Sequence, residues 1–187
     1  MPNTAAKLND GFQNSRSEFN KEGNEPQFVT FQIGQEEYGI DIMLVQEIIR
    51  YERPTKVFNA NPSIKGVMNF RGNVIPIIDM RKKFNLPKSE YDEHTVVIVI
   101  EVNQKTLGMI VDRVSDIISF PVKDIQYVDR EFAEDMMTEH LKGMAKTGKR
   151  IIMLLDPLRV MSFEEYKQLK EVSLSSCNSV SEESDEE

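Results

Sequence analysis

The side chains able to do chemistry are few. The chain holds two histidines and one cysteine. His94 and His140 each stand beside an acid, Glu93 and Glu139, but far apart and in no metal-ligand spacing. Cys177 sits in a polar tail, which excludes an internal disulfide or a cysteine metal cluster. Asp41, Asp79, Asp112 and Asp156 fall near predicted strand ends, and no spacing among them singles out an acid–base pair. Such residues more often accept backbone N–H bonds in turns and caps. Gly66 and Gly72 lack the flanking pattern of a phosphate loop, and Gly148-Lys149 is followed by arginine rather than serine or threonine. No catalytic residue, metal ligand or cofactor site is expected.

Arg71 is the exception. It lies in Asn69-Phe70-Arg71-Gly72, where Gly72 permits an abrupt turn between two predicted strands. Its five-donor fork suits a carboxylate or backbone carbonyls across an interface. It suits equally well an internal brace to Glu47 or another local acid. The residues alone leave both readings open.

The elements that would position these groups are short strands. Val29, Phe31 and Ile33 alternate, which predicts one buried and one partly wet face. Ile42, Val45, Ile48 and Ile49 mix two periods, which predicts a helical turn over 42–44 and then a strand over 45–50. Further strands are expected over 64–70, 74–79, 95–102, 106–111, 114–120 and 150–155, with a brief helix after residue 79. Residues 86–94 read as a polar connector, 121–124 as a turn or edge, and 132–140 as an irregular or helical excursion. Ser162 and Glu165 form a capping box for a last helix carrying Phe163, Tyr166 and Leu169.

The strand series repeats. An offset of 77 lays Ile64-Lys65-Gly66-Val67-Met68 over Leu141-Lys142-Gly143-Met144-Ala145, and residues 74–79 over 151–156. An offset of 69 lays Gly39-Ile40 over Gly108-Met109, and residues 45–49 over 114–118. Three landmarks coincide: Gly39 with Gly108, Gly66 with Gly143, and Asp79 with Asp156. These glycines and aspartates are expected at structural turns, bulges or close backbone approaches. Two small sheets that are marginal alone could bury a common core together. A mainly all-β fold of two five-stranded barrels with little helix is expected.

Charge and hydropathy bound the rest. The chain of 187 residues carries 31 acids and 23 bases, a net charge of −8, which argues against nucleic acid as a partner. Residues 173–187 alone hold five acids and no base. Residues 1–26 and 173–187 lack the apolar surface to repay ordering, so the folded domain is expected over 27–172. No segment approaches the ~20 apolar residues that span a bilayer, and a cytoplasmic protein is expected.

Gly66-Val67-Met68-Asn69-Phe70-Arg71-Gly72-Asn73-Val74-Ile75-Pro76-Ile77-Ile78-Asp79 resembles the signature of the CheW family of chemotaxis coupling proteins. Glu37-Tyr38-Gly39-Ile40-Asp41-Ile42, Val45-Gln46-Glu47-Ile48 and Gly108-Met109-Ile110-Val111-Asp112-Arg113-Val114 resemble it in the same order, so the likeness covers residues 27–161. The resemblance implies a scaffold without enzymatic activity, built of two intertwined SH3-like barrels around a common core. It implies that the chain bridges the cytoplasmic tip of chemoreceptors to the regulatory domain of the histidine kinase CheA. It further implies a receptor-facing groove at Val45, Glu47, Gly66, Arg71, Gly72 and Val96, with the kinase on other surfaces. Coupling in another receptor–kinase pathway, such as one for pili or development, is the alternative within this fold. Phe70 stands where the family usually has leucine, and the acidic tail lies outside the likeness.

Overall fold

The computed structural model describes residues 25–57, 60–128, 139–161 and 166–167. The expectations for residues 1–24, for most of 132–140, for the Ser162 cap and for the acidic tail fall outside the described residues.

The chain forms strands wherever short β-branched and apolar runs are punctuated by Gly, Pro, Asn or Asp. The strands are β1 (Gln27–Ile33), β2 (Glu36–Asp41), β3 (Val45–Arg50), β4 (Ile64–Phe70), β5 (Asn73–Asp79), β6 (Val96–Val102), β7 (Lys105–Val111), β8 (Arg113–Ser119), β9 (Ile125–Tyr127), β10 (Leu141–Thr147) and β11 (Arg150–Leu155). Single 3-10 turns at Ile42–Leu44 and Val122–Asp124 precede β3 and β9. Two one-turn helices, α1 (Met80–Lys83) and α2 (Pro157–Val160), follow β5 and β11. Asp79 and Asp156 cap them, accepting from the backbone N–H groups of Lys82 and Leu158. These two aspartates therefore do the capping work expected of them.

The strands make two sheets, and the order is not sequential. One sheet runs β3-β6-β7-β5-β4 and the other β8-β1-β2-β11-β10-β9. Five strands each were expected; β9 adds a sixth to the second sheet. In the first sheet its place is marked only by an isolated bridge between Thr55 and Val67. The strands also do not sort by halves of the chain. β1 and β2 leave β3 to β5 and join β8 to β11, while β6 and β7 join β3 to β5.

Under the sequence offsets the two sheets superimpose in order. The parallel pair Ile77 with Gly108 matches Leu154 with Gly39. Register shifts between Val45 and Glu47 and between Ile64 and Gly66 match those opposite Thr30 and between Leu141 and Gly143.

Each sheet is apolar on both faces. Val29, Phe31, Ile33, Tyr38 and Ile40 of the second sheet meet Ile98, Ile100, Met109 and Val111 of the first in a shared core. The opposite face of the first sheet buries Ile75, Ile77, Val97, Val99 and Ile110, with Phe70 and Tyr91 packed beside them. That of the second buries Phe28, Phe120, Ile125, Ala145, Ile152 and Leu154. At roughly 1.5–3 kcal/mol per fully buried aliphatic or aromatic side chain, the shared core is the dominant source of stability. The second face of β1 is drier than expected, partly exposed only towards its end at Gln32: Phe28 enters a small core and Thr30 is fully buried, its hydroxyl donating to Asp116 O at 3.0 Å.

Gly39 and Gly108 lie inside strands rather than at turns. They are small because the cores need space. A Cβ on Gly108 would stand 2.6 Å from Ile77 Cδ1, and one on Gly39 would stand 3.1 Å from Leu154 Cδ2. Gly143 and Gly66 sit at the bulges of β10 and β4, pressed against other backbone.

Candidate functional site

The described residues hold no group of three His, Cys, Asp or Glu side chains that could bind a metal. His94 faces Glu93 at 3.8 Å on the surface, and His140 Nδ1 lies 2.9 Å from Arg159 O. The four aspartates are all engaged in holding the fold. Asp41 accepts from Met43 N at 2.9 Å, while Asp79 and Asp156 cap helices. Asp112 takes Arg81 in a bidentate clamp, Nε to Oδ1 and Nη2 to Oδ2, both at 2.7 Å. The same carboxylate accepts from Gly34 N at 2.7 Å, and so ties the β1–β2 turn of one sheet to α1 beside the other. Hydrogen bonding to Asp112 raises the Arg81 pKa still further above its ordinary value.

A second polar knot closes the small core of the first sheet. Tyr91 donates to Asp79 Oδ2 at 2.7 Å and packs against Tyr51 in a tilted pair with ring centroids 4.2 Å apart. Lys65 Nζ lies 4.6 Å from the Tyr91 ring centroid. Burial, then the Asp79 carboxylate, pushes the Tyr91 hydroxyl far above the usual tyrosine range. Burial likewise lowers the Lys65 pKa.

Arg71 stands apart from these. With Gly72 it forms the two-residue loop between β4 and β5, and both have positive φ, 51° and 84°. Such a loop follows the right-handed twist of a hairpin and costs a non-glycine residue some strain. Asn69 Oδ1 accepts from Gly72 N at 2.9 Å and fixes the turn. From this fixed point Arg71 Nη2 donates to Glu47 Oε2 at 2.8 Å, and its guanidinium lies over the Phe70 ring at 5.0 Å.

Glu47 is on β3 and Arg71 follows β4, the two outer strands of the first sheet. Glu47 faces the same side as its partner Val99, the side of the small core that Phe70 also packs against. The pair thus spans the rim of that core. Both readings left open for Arg71 meet here. It braces Glu47, yet its side chain is 63% exposed and Glu47's is 30% exposed. One bond leaves most of the guanidinium's five donors for another partner.

The remaining residues expected at the groove are less exposed. Val45 is 0% and Val96 7% exposed, and both side chains belong to the shared core. Alternation shows that a valine is on one face of a strand but not which face is wet. Gly66 is also buried. Its φ is 151°, and a Cβ there would run into the carbonyl oxygen of Thr55. It holds the 54–55 segment against β4. Val74, which sequence reasoning did not single out, is exposed beside the Arg71 turn. It pairs with Asn69 in the hairpin, and its apolar type gave no signal of its exposure.

Known proteins decide the family. A model described as the CheW-like domain matches residues 27–165. The chain belongs to the CheW family. It is 43% identical over 149 residues to the chemotaxis protein CheW of Klebsiella aerogenes, covering 80% of this chain and 89% of that one. It is 31% identical over 136 residues to CheW of Bacillus subtilis, covering 73% and 86%. The crystal structure of scaffolding protein TtCheW from Thermoanaerobacter tengcongensis is similar with a TM-score of 0.65 at 29% identity, covering 71% of this chain and 89% of that one. CheW-family proteins are non-enzymatic scaffolds, and this chain is a CheW-like adaptor that couples chemoreceptors to CheA in chemotaxis signalling. Among the described residues no helix is long and apolar enough to cross a membrane.

Proposed function

We propose that the cytoplasmic tip of a chemoreceptor docks on the rim of the first sheet marked by Glu47, Arg71 and Gly72. Val45, Gly66 and Val96 shape this groove from beneath, and the regulatory domain of CheA binds elsewhere. The exposed Glu47–Arg71 pair on a rigid turn carries this reading. A charged fork held in place pays little entropy on binding and can recognise a partner carboxylate or carbonyl. The adaptor then works from the cytoplasm, reaching the membrane only through its receptors. Its domain spans residues 27–172, formed by a duplicated unit, with 1–26 and 173–187 as extensions.

Each sheet closes into an SH3-like barrel in this reading. The Thr55–Val67 bridge and the Glu47–Arg71 pair favour closure, because both join the β3 side of the first sheet to its β4 edge.

Arg71→Ala tests the groove. At such exposure the pair with Glu47 contributes only ~0.2–1 kcal/mol to stability. Loss of a charge contact to the receptor would cost ~2–5 kcal/mol of binding. Separate titrations with a receptor tip and with the CheA regulatory domain are expected to show a large loss for the first alone. Unchanged receptor affinity would sink the groove, and equal losses toward both partners would indicate a shared surface.

A further inference from the structure

The second sheet has a charged edge that the adaptor reading does not use. The Val122–Asp124 turn, β9 and the β10–β11 loop enclose a shallow cavity of about 610 Å³, lined by Lys123, Asp124, Ile125, Gln126, Lys146 and Gly148. Lys142, at the bulge of β10, and Lys149 are exposed nearby. Among the described residues none of Lys123, Lys142, Lys146 and Lys149 has a carboxylate partner. Asp124 is the single acid in the lining. Exposed apolar side chains border the site at Val122, Tyr127 and Ile151. A partly apolar, lysine-rich concavity fits an extended acidic segment.

The chain carries such a segment itself. Glu182, Glu183, Asp185, Glu186 and Glu187 end a stretch from residue 173 that contains no base. Residues 168–181 connect it to Lys167, the last described position. An extended chain of that length reaches about 45–50 Å, more than the breadth of a domain this size. Reach is therefore no obstacle, and charge selects the site. We propose that residues 182–187 dock on the Lys123–Lys146 edge of the second sheet, shielding it as a reversible, salt-sensitive cover. The proposal is independent of the receptor groove, which lies on the other sheet.

Cys177 is the chain's one cysteine and places a probe within the tail. A nitroxide on Cys177 of the full chain will broaden amide resonances near where the tail rests. At low salt the signals of Gln126, Lys146 and Gly148 are expected to lose more than half their intensity, while Gly72 and Asn73 keep theirs. Raising salt to ~1 M shortens the Debye length to ~3 Å and should restore them. Neutralising the five acids to Gln and Asn should do the same, as should the double variant Lys123→Glu, Lys146→Glu. Broadening that is uniform, centred elsewhere, or indifferent to salt or to either set of substitutions overturns the proposal. So does broadening that passes fully from a labelled chain to an unlabelled, isotope-enriched one, which would make the occupant a second copy.

Discussion

The two sheets share a framework and differ where the framework is indifferent. Both carry the same strand order, the same two bulges, the same capping aspartate and the same glycine beneath an aliphatic side chain. Asp79 N bonds Ser63 O and Asp156 N bonds His140 O, each at the offset of the repeat. These shared features answer backbone needs. The differences fall on loops and outer faces. Arg71-Gly72 becomes Gly148-Lys149, and Glu47 becomes Asp116, which accepts from its neighbour Ile117 N instead of an arginine. The Arg81–Asp112 clamp is replaced at the equivalent positions by Leu158 and Met43, both exposed. A framework held by backbone needs in both sheets leaves their loops and outer faces free to differ.

The bulge glycines offer the strongest test of this likeness. Gly66→Ala must relieve both a positive φ and a collision with Thr55 O, and should cost about 3 kcal/mol or more. At Gly143 a Cβ would stand 2.7 Å from Gln126 O without the positive φ, so Gly143→Ala should cost about 1–3 kcal/mol. Urea unfolding of both variants measures the difference; a milder effect at Gly66 would contradict the geometry.

The clamp is a sharper asymmetry. Arg81→Leu leaves the half-buried Asp112 carboxylate without its bidentate partner and should cost about 2 kcal/mol. The same denaturation measurement applies, and a loss below that of a surface substitution would make the clamp ornamental.

Alkali probes the tyrosine knot of the first sheet. The folded state holds the Tyr91 proton more tightly than the unfolded chain, whose tyrosines ionise near 10.0. Its contribution is fully present below pH 10 and is lost as pH rises above it. Stability should fall by ~1.4 kcal/mol per pH unit there for each such proton. Tyr38 and Tyr51 are also raised by burial, so Tyr91→Phe should reduce the slope rather than abolish it. An unchanged slope would place Tyr91 outside the titration.

The smallest effect is expected from copying the clamp across. Met43→Asp with Leu158→Arg sets the two residues of the clamp at exposed positions, where substitutions usually stay within about 0.5 kcal/mol. A gain as large as the loss in Arg81→Leu would show the two halves to be more alike than their surfaces suggest.

Much of this organisation was legible before any coordinates. The 3-10 turn at Ile42–Leu44 and the strand at Val45–Arg50 follow from the change of period, and the strand boundaries follow from Gly, Pro and Asn. The helix at Pro157–Val160 was missed, although Asp156 before Pro157 is a cap followed by proline at the first helical position. The exchange of β1 and β2 between halves was not legible from pattern, because strand pairing is non-local and periodicity records only which residues face alike. For the same reason the burial of Val45 and Val96 in the shared core was not legible. Arg71 was legible, since glycine beside a long cation between strands marks an exposed turn.

The exchanged strands bear on how the molecule is made. β1 and β2 are the first strands of the domain to be made, yet β8, the other neighbour of β1, follows five further strands, and β11, the other neighbour of β2, is the last strand of all. The opening hairpin must wait, edges unpaired, through most of translation, a period in which nascent chains are prone to misassembly. Each sheet therefore needs strands from both halves of the chain, and neither half carries a complete sheet of its own.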